Sequence, residues 1–322
     1  MMRFIADVDF RRQCVERLNF PAVLQSVPQK WLVVVNPSAG HHTHGWMREI
    51  GHRMQRELGS NVAFTRSYEH IAELLREAPD ADGIAVVGGD GTVAEAVNHM
   101  RLDRQYLLVL PGGTGNGLAR DLGIVSIDHA LAAYRAERRQ TVDLLQVLFD
   151  TPYERICRLM VSTLSLGYAA ETVVLAGRLP RALNAFRYIG ASIVQTARMP
   201  DLTLAVEIDG SPPLEMRLTN LMINNTRYAG NFCAFPNASL LDGQFDLLLA
   251  ENSFWQQIFN NLAVLSHTHM YRSGRDTRAR SIRIRSATSL RLMLDGEIWE
   301  DVRELRVRVL PQRLCCYCRS TG

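Results

Sequence analysis

The sequence predicts an α/β protein of two domains, a doubly wound, three-layer domain followed by a β-sandwich-like domain. Between residues 31 and 144, short apolar runs alternate with helical patterns, which is typical of a parallel sheet covered by helices on both faces. After residue 144, short segments of alternating polarity are separated by turn residues, as in an antiparallel sandwich. A chain of 322 residues that is 47% hydrophobic is long and apolar enough for two cores.

The chain divides into four expected segments. The N-terminal segment, which contains Pro21 and Pro28, shows no regular pattern, and the final run Leu305–Leu310 is strand-like and is expected to return to the first domain. The expected boundaries are 1–30 for an N-terminal extension, 31–144 for the first domain, 145–304 for the second domain, and 305–322 for the return strand and tail.

Four apolar runs in the first domain predict the strands of its parallel sheet. The strands are expected at 31–35, 62–65, 83–87 and 106–110, with helices at about 43–58, 70–77 and 92–100 and after residue 117. The loops that follow the strands are rich in glycine and polar residues, at 36–40, 65–66, 88–92 and 111–117. Because ligands of parallel sheets bind outside the carboxyl ends of the strands, these loops predict one shared binding site.

The second domain is expected to be antiparallel, with two apolar helical insertions at about 171–198 and 253–271. Its strands are expected at 158–164, 203–208, 215–223, 245–250, 281–285 and 289–294. Ile282 and Ile284 alternate with Arg283 and Arg285, so one face of that strand packs inward and the other is basic. The basic face is either an ordinary solvated strand face or a strip that faces a membrane.

The turn Gly88-Gly89-Asp90-Gly91-Thr92 lies between an expected buried strand and an expected helix. Its glycines let backbone N–H groups approach a ligand closely, and the helix N-terminus behind them favours an anion. A carboxylate at Asp90 would repel a phosphate unless a divalent cation lay between them. This turn therefore predicts a site for a metal and a nucleotide.

Composition limits the classes of partner and compartment. The formal net charge of +3 is too small to indicate nucleic-acid binding, so no nucleic-acid partner is expected. No apolar run approaches the roughly 18 residues of a transmembrane helix, and the N-terminus is too charged for a signal peptide. We therefore expect a cytoplasmic protein. Its mild basicity is compatible with peripheral contact at an anionic membrane surface but does not require it, and a homodimer stays open as its assembly.

Two clusters of metal-ligating residue types have alternative interpretations. Cys315, Cys316 and Cys318 either form a metal site or belong to a terminal strand and tail, since no second pair completes four ligands. The cluster His41, His42 and His44 is either a polar loop or an auxiliary phosphate contact.

Six short motifs occur in order over residues 31–312. They are Asn36–Gly40, Gly88–Thr92, Pro111–Ile124 with its Gly-Thr-Gly-Asn and Leu-Ala-Arg, Val142-Asp143-Leu144, Leu241-Asp242-Gly243 and Asp295-Gly296-Glu297. Taken together they resemble the diacylglycerol kinase catalytic-domain family, which includes bacterial lipid kinases and sphingosine kinases. The Gly-Gly-Asp-Gly-Thr motif alone is shared with NAD kinases and, more loosely, with phosphofructokinases, whereas the whole set is far more specific.

The resemblance implies an ATP-binding first domain, a lipid-binding second domain and an active site in the cleft between them. The residues it places against the nucleotide are Asn36, Pro37, Ser38, Ala39, Gly40, Thr65, Gly88, Gly89, Asp90, Gly91, Thr92, Glu95, Gly113, Thr114 and Asn116. It further implies that Asp90 and Asp143 organise a catalytic Mg²⁺ through water. A second, structural Mg²⁺ would be held by Asp242, with carbonyls of Ser239 and Gln244.

The resemblance also assigns the acid–base and head-group residues. It makes Asp295 and Glu297 the source of the general base that deprotonates the lipid hydroxyl, although Asp295-Gly296 on its own reads as a hairpin turn. Glu171, after Gly167-Tyr168, would recognise the lipid head group as in the sphingosine-kinase branch. The alternative for Glu171 is an ordinary helix-surface glutamate.

Two departures from the family pattern put activity in question. Ala94 stands where many members have Asn, and Gly117 stands where the bacterial pattern has Asp, with Asp121 as a candidate substitute. The expected function is an ATP- and Mg²⁺-dependent lipid kinase that acts on a diacylglycerol-like or sphingoid-type lipid. The alternatives are an NAD kinase-like enzyme with a soluble substrate, or a catalytically weak regulator that binds lipid or nucleotide.

Overall fold

The structure is a computed structural model that describes residues 28, 30–40, 44–180, 186–265 and 275–319. Most of the expected N-terminal extension and the interpretation of His41, His42 and the His44 side chain therefore lie outside the described residues. Among the helices in these ranges, none has the length and apolar character that a membrane span requires.

The first domain is built on four parallel strands in the order β2–β1–β3–β4. The strands are β1 (Trp31–Val35), β2 (Asn61–Phe64), β3 (Gly83–Gly88) and β4 (Tyr106–Pro111). All residues of β1 and β3 are buried, which explains their continuous apolar runs. The helices are α1 (His44–Leu58), α2 (Glu69–Glu77), α3 (Asp90–His99), α4 (Gly117–Asp121) and α5 (Ile127–Arg135).

The second domain is mostly antiparallel, and the predicted two-domain α/β fold is confirmed. Its strands are β5 (Arg139–Asp150), β6 (Arg155–Met160), β7 (Thr163–Gly167), β8 (Leu202–Ile208), β9 (Leu214–Leu218), β10 (Asn220–Asn224), β11 (Tyr228–Ala229), β12 (Phe232–Cys233), β13 (Phe245–Ala250), β14 (Arg275–Ala279), β15 (Ser281–Leu294) and β16 (Glu297–Tyr317). The insertions contain α6 (Tyr168–Gly177), α7 (Phe186–Thr196) and α8 (Phe254–Leu265).

Strand β16 runs through both domains and is far longer than the predicted run Leu305–Leu310. It pairs antiparallel with β15 and β5, and its end pairs parallel with β4 through Cys316 and Leu107. Its alternation of buried and exposed residues is interrupted around Glu304, and Gln312 has positive φ. The strand therefore shows no single alternating pattern of polar and apolar residues along its length. The two domains thus share one continuous sheet.

Two apolar cores lie on either side of this connection. The first contains β1, β3 and β4 with the end of β16, and the second lies between the strands of the antiparallel domain. Cys315, Cys316 and Cys318 are buried in the first core, and burial raises the pKa of each thiol. Arg283 forms an ion pair with Glu304 on the neighbouring strand, as on an ordinary solvated strand face.

Candidate functional site

The loops after β1 and β3 meet where the strand order reverses, which is where parallel sheets bind ligands. The Asn36 side-chain amide donates to the Thr92 hydroxyl at 2.8 Å, so the first loop is tied to the start of α3. The Asn36 carboxamide oxygen accepts from the Ser38 N–H at 3.0 Å and shapes its own loop. Thr65 is buried at the end of β2, where its N–H donates to the Val35 carbonyl.

The glycine loops touch one another through their backbones. A Cβ on Gly113 would lie 2.3 Å from the Gly89 Cα, and one on Gly40 would lie 2.4 Å from the Gly112 carbonyl oxygen. No side chain fits in these gaps, so glycine is required by the close approach. The result is a surface of backbone groups at the N-terminus of α3, as anion binding requires.

Asn116 closes the loop that follows β4. Its φ is +53°, a left-handed conformation that Asn tolerates better than most residues. Its carboxamide oxygen accepts from the Gly113 N–H at 2.9 Å, and its amide donates to the Gly113 carbonyl at 2.8 Å. Thr114 lies half-buried inside this closed loop. Asn116 therefore fixes the shape of the loop that follows β4.

The Asp90 carboxylate caps helix α4. Its two oxygens accept from the N–H groups of Gly117 and Leu118 at 2.9 and 3.1 Å. Burial raises the pKa of Asp90 despite these bonds, and the nearby Asp121 raises it further. A Cβ on Gly117 would lie 3.0 Å from the Ser162 hydroxyl, so the missing family acid has little space here.

Asp121, the candidate substitute for that acid, is held by Arg227. The guanidinium Nε and the backbone N–H of Arg227 each donate to the Asp121 carboxylate at 2.7 Å. Asp121 lies close enough to Asp90 to raise the pKa of Asp90, but both Asp121 oxygens already have a donor. Sequence reasoning missed Arg227.

Asp295 and Gly296 form the tight turn between β15 and β16, as the hairpin interpretation predicts, with φ of +48° and +95°. The Asp295 carboxylate also accepts from three backbone N–H groups, those of Val161, Ser162 and Thr163, at 2.8 to 2.9 Å. Burial nevertheless raises the pKa of Asp295 to about 7, and the Asp90 charge adds to this. Asp90 therefore lies close enough to Asp295 for its charge to act on the Asp295 carboxylate.

A cleft lies between α3 of the first domain and the strands of the second. It is lined by Gly91, Glu95, Asn98, Arg158, Asp295 and Glu297, among others. The two acids of the Asp-Gly-Glu turn both line it, so the turn lies against the glycine loop. Glu95, expected at the nucleotide, pairs with His99 at 2.9 Å and with Arg158 at 3.2 Å.

Asp143 lies beside the loop that contains Asp242, the predicted ligand of the second Mg²⁺. Its oxygens accept from the N–H groups of Gly243 and Gln312 at 2.7 and 2.8 Å, and the charge that faces it is that of Asp242. The charge that raises the pKa of Asp295 is that of Asp90. The acids thus form two groups, Asp90 with Asp295 and Asp143 with Asp242.

Arg278 supplies a positive charge at the second group. Its guanidinium lies 3.7 Å from Asp242 and 3.6 Å from Asp246, whose pKa burial raises to about 6. The backbone of this loop is shaped by its own side chains, since Ser239 accepts from the Leu241 N–H and Asp242 from the Gln244 N–H. In the part of the chain that the structure describes, no three His, Cys, Asp or Glu side chains are arranged to hold a metal directly.

The chemistry of the acids fits a divalent cation at the first group. Asp295 is a buried carboxylate whose pKa burial and the charge of half-buried Asp90 both raise, and a cation held through water would relieve that repulsion. At the second group Arg278 already fulfils part of this role.

Glu171 lies in the first turn of α6 and is paired with Arg291 at 2.5 Å. Arg291 also pairs with Glu300 at 3.0 Å. The carboxylate that the resemblance assigns to the lipid head group thus already has a cationic partner. Sequence reasoning missed Arg291, as it missed Arg158 and Arg278, because each pairs with acids on other elements.

Two family models match the chain in the order of its domains. The diacylglycerol kinase catalytic domain matches residues 30–147, and the YegS C-terminal NAD kinase beta sandwich-like domain matches residues 162–318.

Curated relatives and solved structures agree with these matches. A diacylglycerol kinase of Mycobacterium tuberculosis (strain CDC 1551 / Oshkosh) is 28% identical over 69% of this chain and 74% of its own length. A diacylglycerol kinase of Staphylococcus aureus (strain bovine RF122 / ET3-1) is 27% identical over 82% of this chain and 85% of its own length.

Two structures from Bacillus anthracis str. Sterne share the fold. One, of a diacylglycerol kinase, has a TM-score of 0.66 at 18% identity and covers 91% of this chain and 98% of its own. The other has a TM-score of 0.73 at 20% identity, and the match covers 92% of this chain and 100% of its own. With both family models in place, residues 30–147 belong to the diacylglycerol kinase catalytic-domain family and residues 162–318 match the YegS C-terminal domain, so the chain is a lipid kinase.

Proposed function

We propose that this chain is an ATP- and Mg²⁺-dependent kinase that transfers the γ-phosphate to a hydroxyl of a diacylglycerol-like or sphingoid-type lipid. One observation carries the proposal: the glycine loop touches the acid turn, since a Cβ on Gly91 would lie 3.0 Å from the Asp295 carbonyl oxygen. A nucleotide on the glycine loops would therefore present its phosphates to the carboxylates of that turn. The curated relatives are diacylglycerol kinases, which supports a lipid acceptor.

The proposed nucleotide site is the backbone surface formed by the loops after β1, β3 and β4. Its N–H groups and the N-terminus of α3 would bind the phosphates. Asp90 would hold the catalytic Mg²⁺ through water, with Asp143 as its partner in the family pattern. Asp242 and the carbonyls of Ser239 and Gln244 would hold the second ion. Bound Mg²⁺ would neutralise charge on the phosphate oxygens.

Glu297 is the better placed of the two acids to act as the general base. Three backbone N–H groups occupy the Asp295 carboxylate, whereas the ion pair of Glu297 with Arg158 is long, at 3.8 Å. In the proposed reaction Glu297 accepts the proton of the lipid hydroxyl, whose oxygen attacks the γ-phosphorus in line as ADP leaves. Asp295 anchors the turn that presents Glu297.

The lipid chains would lie between the antiparallel sheet and the helices α6 to α8, since such tails need buried apolar surface. Because Arg291 neutralises Glu171, the pair favours an uncharged head group over a cationic amine. Peripheral membrane contact is supported by three aromatic residues exposed on α8, Phe254, Trp255 and Phe259.

The proposal is tested by phosphate transfer from labelled ATP to micellar diacylglycerol, monoacylglycerol, ceramide, sphingosine and phosphatidylglycerol in the presence of Mg²⁺. We expect wild type to produce a labelled lipid. For Glu297→Gln we expect the transfer rate to fall by about 100-fold or more. ATP binding measured alongside should change little in this variant, because Glu297 contacts the acceptor. Wild-type rates retained by Glu297→Gln would exclude it as the base.

A further inference from the structure

Asn225 follows β10 and lies between the two groups of acids. Its amide nitrogen donates to the Asp143 carbonyl at 3.0 Å and to the Val161 carbonyl at 3.3 Å. Its backbone N–H donates to the Ser162 carbonyl at 2.9 Å. Asn225 is 1% exposed, so these bonds hold a buried side chain in one place.

The segment that Asn225 contacts is also the segment that holds Asp295. The N–H groups of Val161 and Ser162 both donate to the Asp295 carboxylate at 2.8 Å. Asn225 therefore connects the backbone of Asp143 to the residues that fix Asp295. This one side chain thus links an acid of each group.

Asp90 reaches the same segment through Gly117. Its carboxylate accepts from the Gly117 N–H at 2.9 Å. A Cβ on Gly117 would lie 3.0 Å from the Ser162 hydroxyl and 3.3 Å from the Thr226 hydroxyl, and these two hydroxyls are hydrogen-bonded to each other at 3.0 Å. Neutral oxygen atoms therefore line the space at Gly117, where the bacterial pattern has an acid.

One atom of Asn225 has no partner. Its carboxamide oxygen is buried and has no hydrogen-bond donor among the residues that the structure describes. A buried acceptor without a donor costs free energy, and a water molecule supplies a donor where the surroundings are polar. Mg²⁺ in proteins usually keeps several waters, and each of these waters is a donor. The unpaired oxygen therefore has the chemistry to accept from such a water.

We propose that Asn225 is a positioning residue of the divalent-cation site at Asp90. Its amide fixes the backbone of Asp143 relative to the segment that holds Asp295, and its carboxamide oxygen accepts a hydrogen bond from a water of the cation. Because the side chain is uncharged, it supplies this oxygen without adding to the repulsion among the acids. The inference rests on the Mg²⁺ dependence in the proposed function.

Two variants of Asn225 separate cation binding from folding. Asn225→Leu removes both the amide donor and the oxygen, whereas Asn225→Asp removes the donor and keeps an acceptor with added negative charge. Affinity for Mn²⁺ is measured by electron paramagnetic resonance in the presence of a non-hydrolysable ATP analogue. The relevant signal is the one that Asp90→Asn loses. The melting temperature of each variant is measured beside it.

We expect Mn²⁺ affinity to fall about 10- to 100-fold in Asn225→Leu, as is typical when an outer partner of a metal site is lost. Asn225→Asp should bind Mn²⁺ at least as tightly as wild type, although it melts at a lower temperature. The matched control is Gln105→Leu, which removes a buried carboxamide that donates to the Ala81 carbonyl at the amino end of β4. This control should lower the melting temperature and leave Mn²⁺ affinity unchanged.

Wild-type Mn²⁺ affinity in Asn225→Leu would overturn the inference, as would a loss of affinity in Asn225→Asp that accompanies its loss of stability. If Asn225→Leu does not fold, Asn225→Asp decides alone. A wild type without the Asp90-dependent signal would contradict both the inference and the proposed Mg²⁺ site. If wild type labels no lipid while Asn225→Leu still loses Mn²⁺ affinity, the proposed acceptor fails and the role of Asn225 stands.

Discussion

Asp295 and Glu297 lie two residues apart, yet their carboxylates have different surroundings. Asp295 accepts three backbone hydrogen bonds from the segment that leads into β7, and Glu297 has one long ion pair with Arg158. The resemblance treats both as sources of the base. The hydrogen bonds indicate different roles for the two acids. The Asp295 carboxylate ties the turn between β15 and β16 to the segment before β7, and the Glu297 carboxylate is left to face the cleft.

This division predicts that Asp295→Asn destabilises the fold, whereas Glu297→Gln does not. An Asn amide would point N–H groups at backbone N–H donors, and the donors left unpaired would cost about 1–3 kcal/mol. Urea unfolding of the two variants beside wild type measures the difference. Equal unfolding free energies for Asp295→Asn and wild type would show that the three hydrogen bonds contribute nothing.

The ion-pair partners of the arginines at the site could not be predicted from the sequence. The glycine loops and the acid turn are contiguous motifs, so their residue types and order predict a shared site. Arg158, Arg227, Arg278 and Arg291 each pair with acids on other elements, and no local pattern distinguishes them from solvated surface charges. Their partners follow only from the packing of the two domains.

At the scale of elements, the backbone contacts between glycine loops should control nucleotide binding. In Gly113→Ala the new Cβ would meet the Gly89 backbone, and forced overpacking costs about 1–3 kcal/mol. We expect ATP affinity to fall about tenfold or more. The matched control is Gly177→Ala in α6, where a Cβ meets nothing within 4 Å. Equal ATP affinity in Gly113→Ala and wild type would exclude this surface as the nucleotide site.

Three strands of the first domain, β1, β3 and β4, follow from the sequence because each is almost entirely buried and forms one apolar run. The full length of strand β16 could not be predicted from the sequence. One part of it pairs in the second domain and its end pairs in the first, so its burial pattern changes along its length. The predicted strand 215–223 is in fact two, β9 and β10, which meet different partners. Pairing partners, which no local window contains, decide these cases.

At the scale of the whole molecule, helix α3 connects the two halves of the site. Its first turn forms the glycine loop, and near its end Asn98 pairs with Leu159 of the second domain. Asn98→Ala would remove both hydrogen bonds and leave the Leu159 backbone groups unpaired. We expect a loss of about 1–3 kcal/mol and a lower transfer rate with ATP binding preserved.

Differential scanning calorimetry, together with ATP titration, checks the Asn98→Ala prediction. A melting temperature equal to that of wild type would show that this contact does not hold the domains together. A loss of ATP binding that matches the loss of transfer would place the effect in the first domain rather than between the domains.

The acceptor that receives the phosphate distinguishes a lipid kinase from an NAD kinase-like enzyme. The most direct measurement incubates wild type with ATP, Mg²⁺, micellar diacylglycerol and NAD together, and separates the organic from the aqueous phase. With γ-labelled ATP we expect label in the lipid phase, and with α-labelled ATP none. Label in NAD would contradict the lipid acceptor, and no transfer to either acceptor despite bound ATP would contradict the kinase itself.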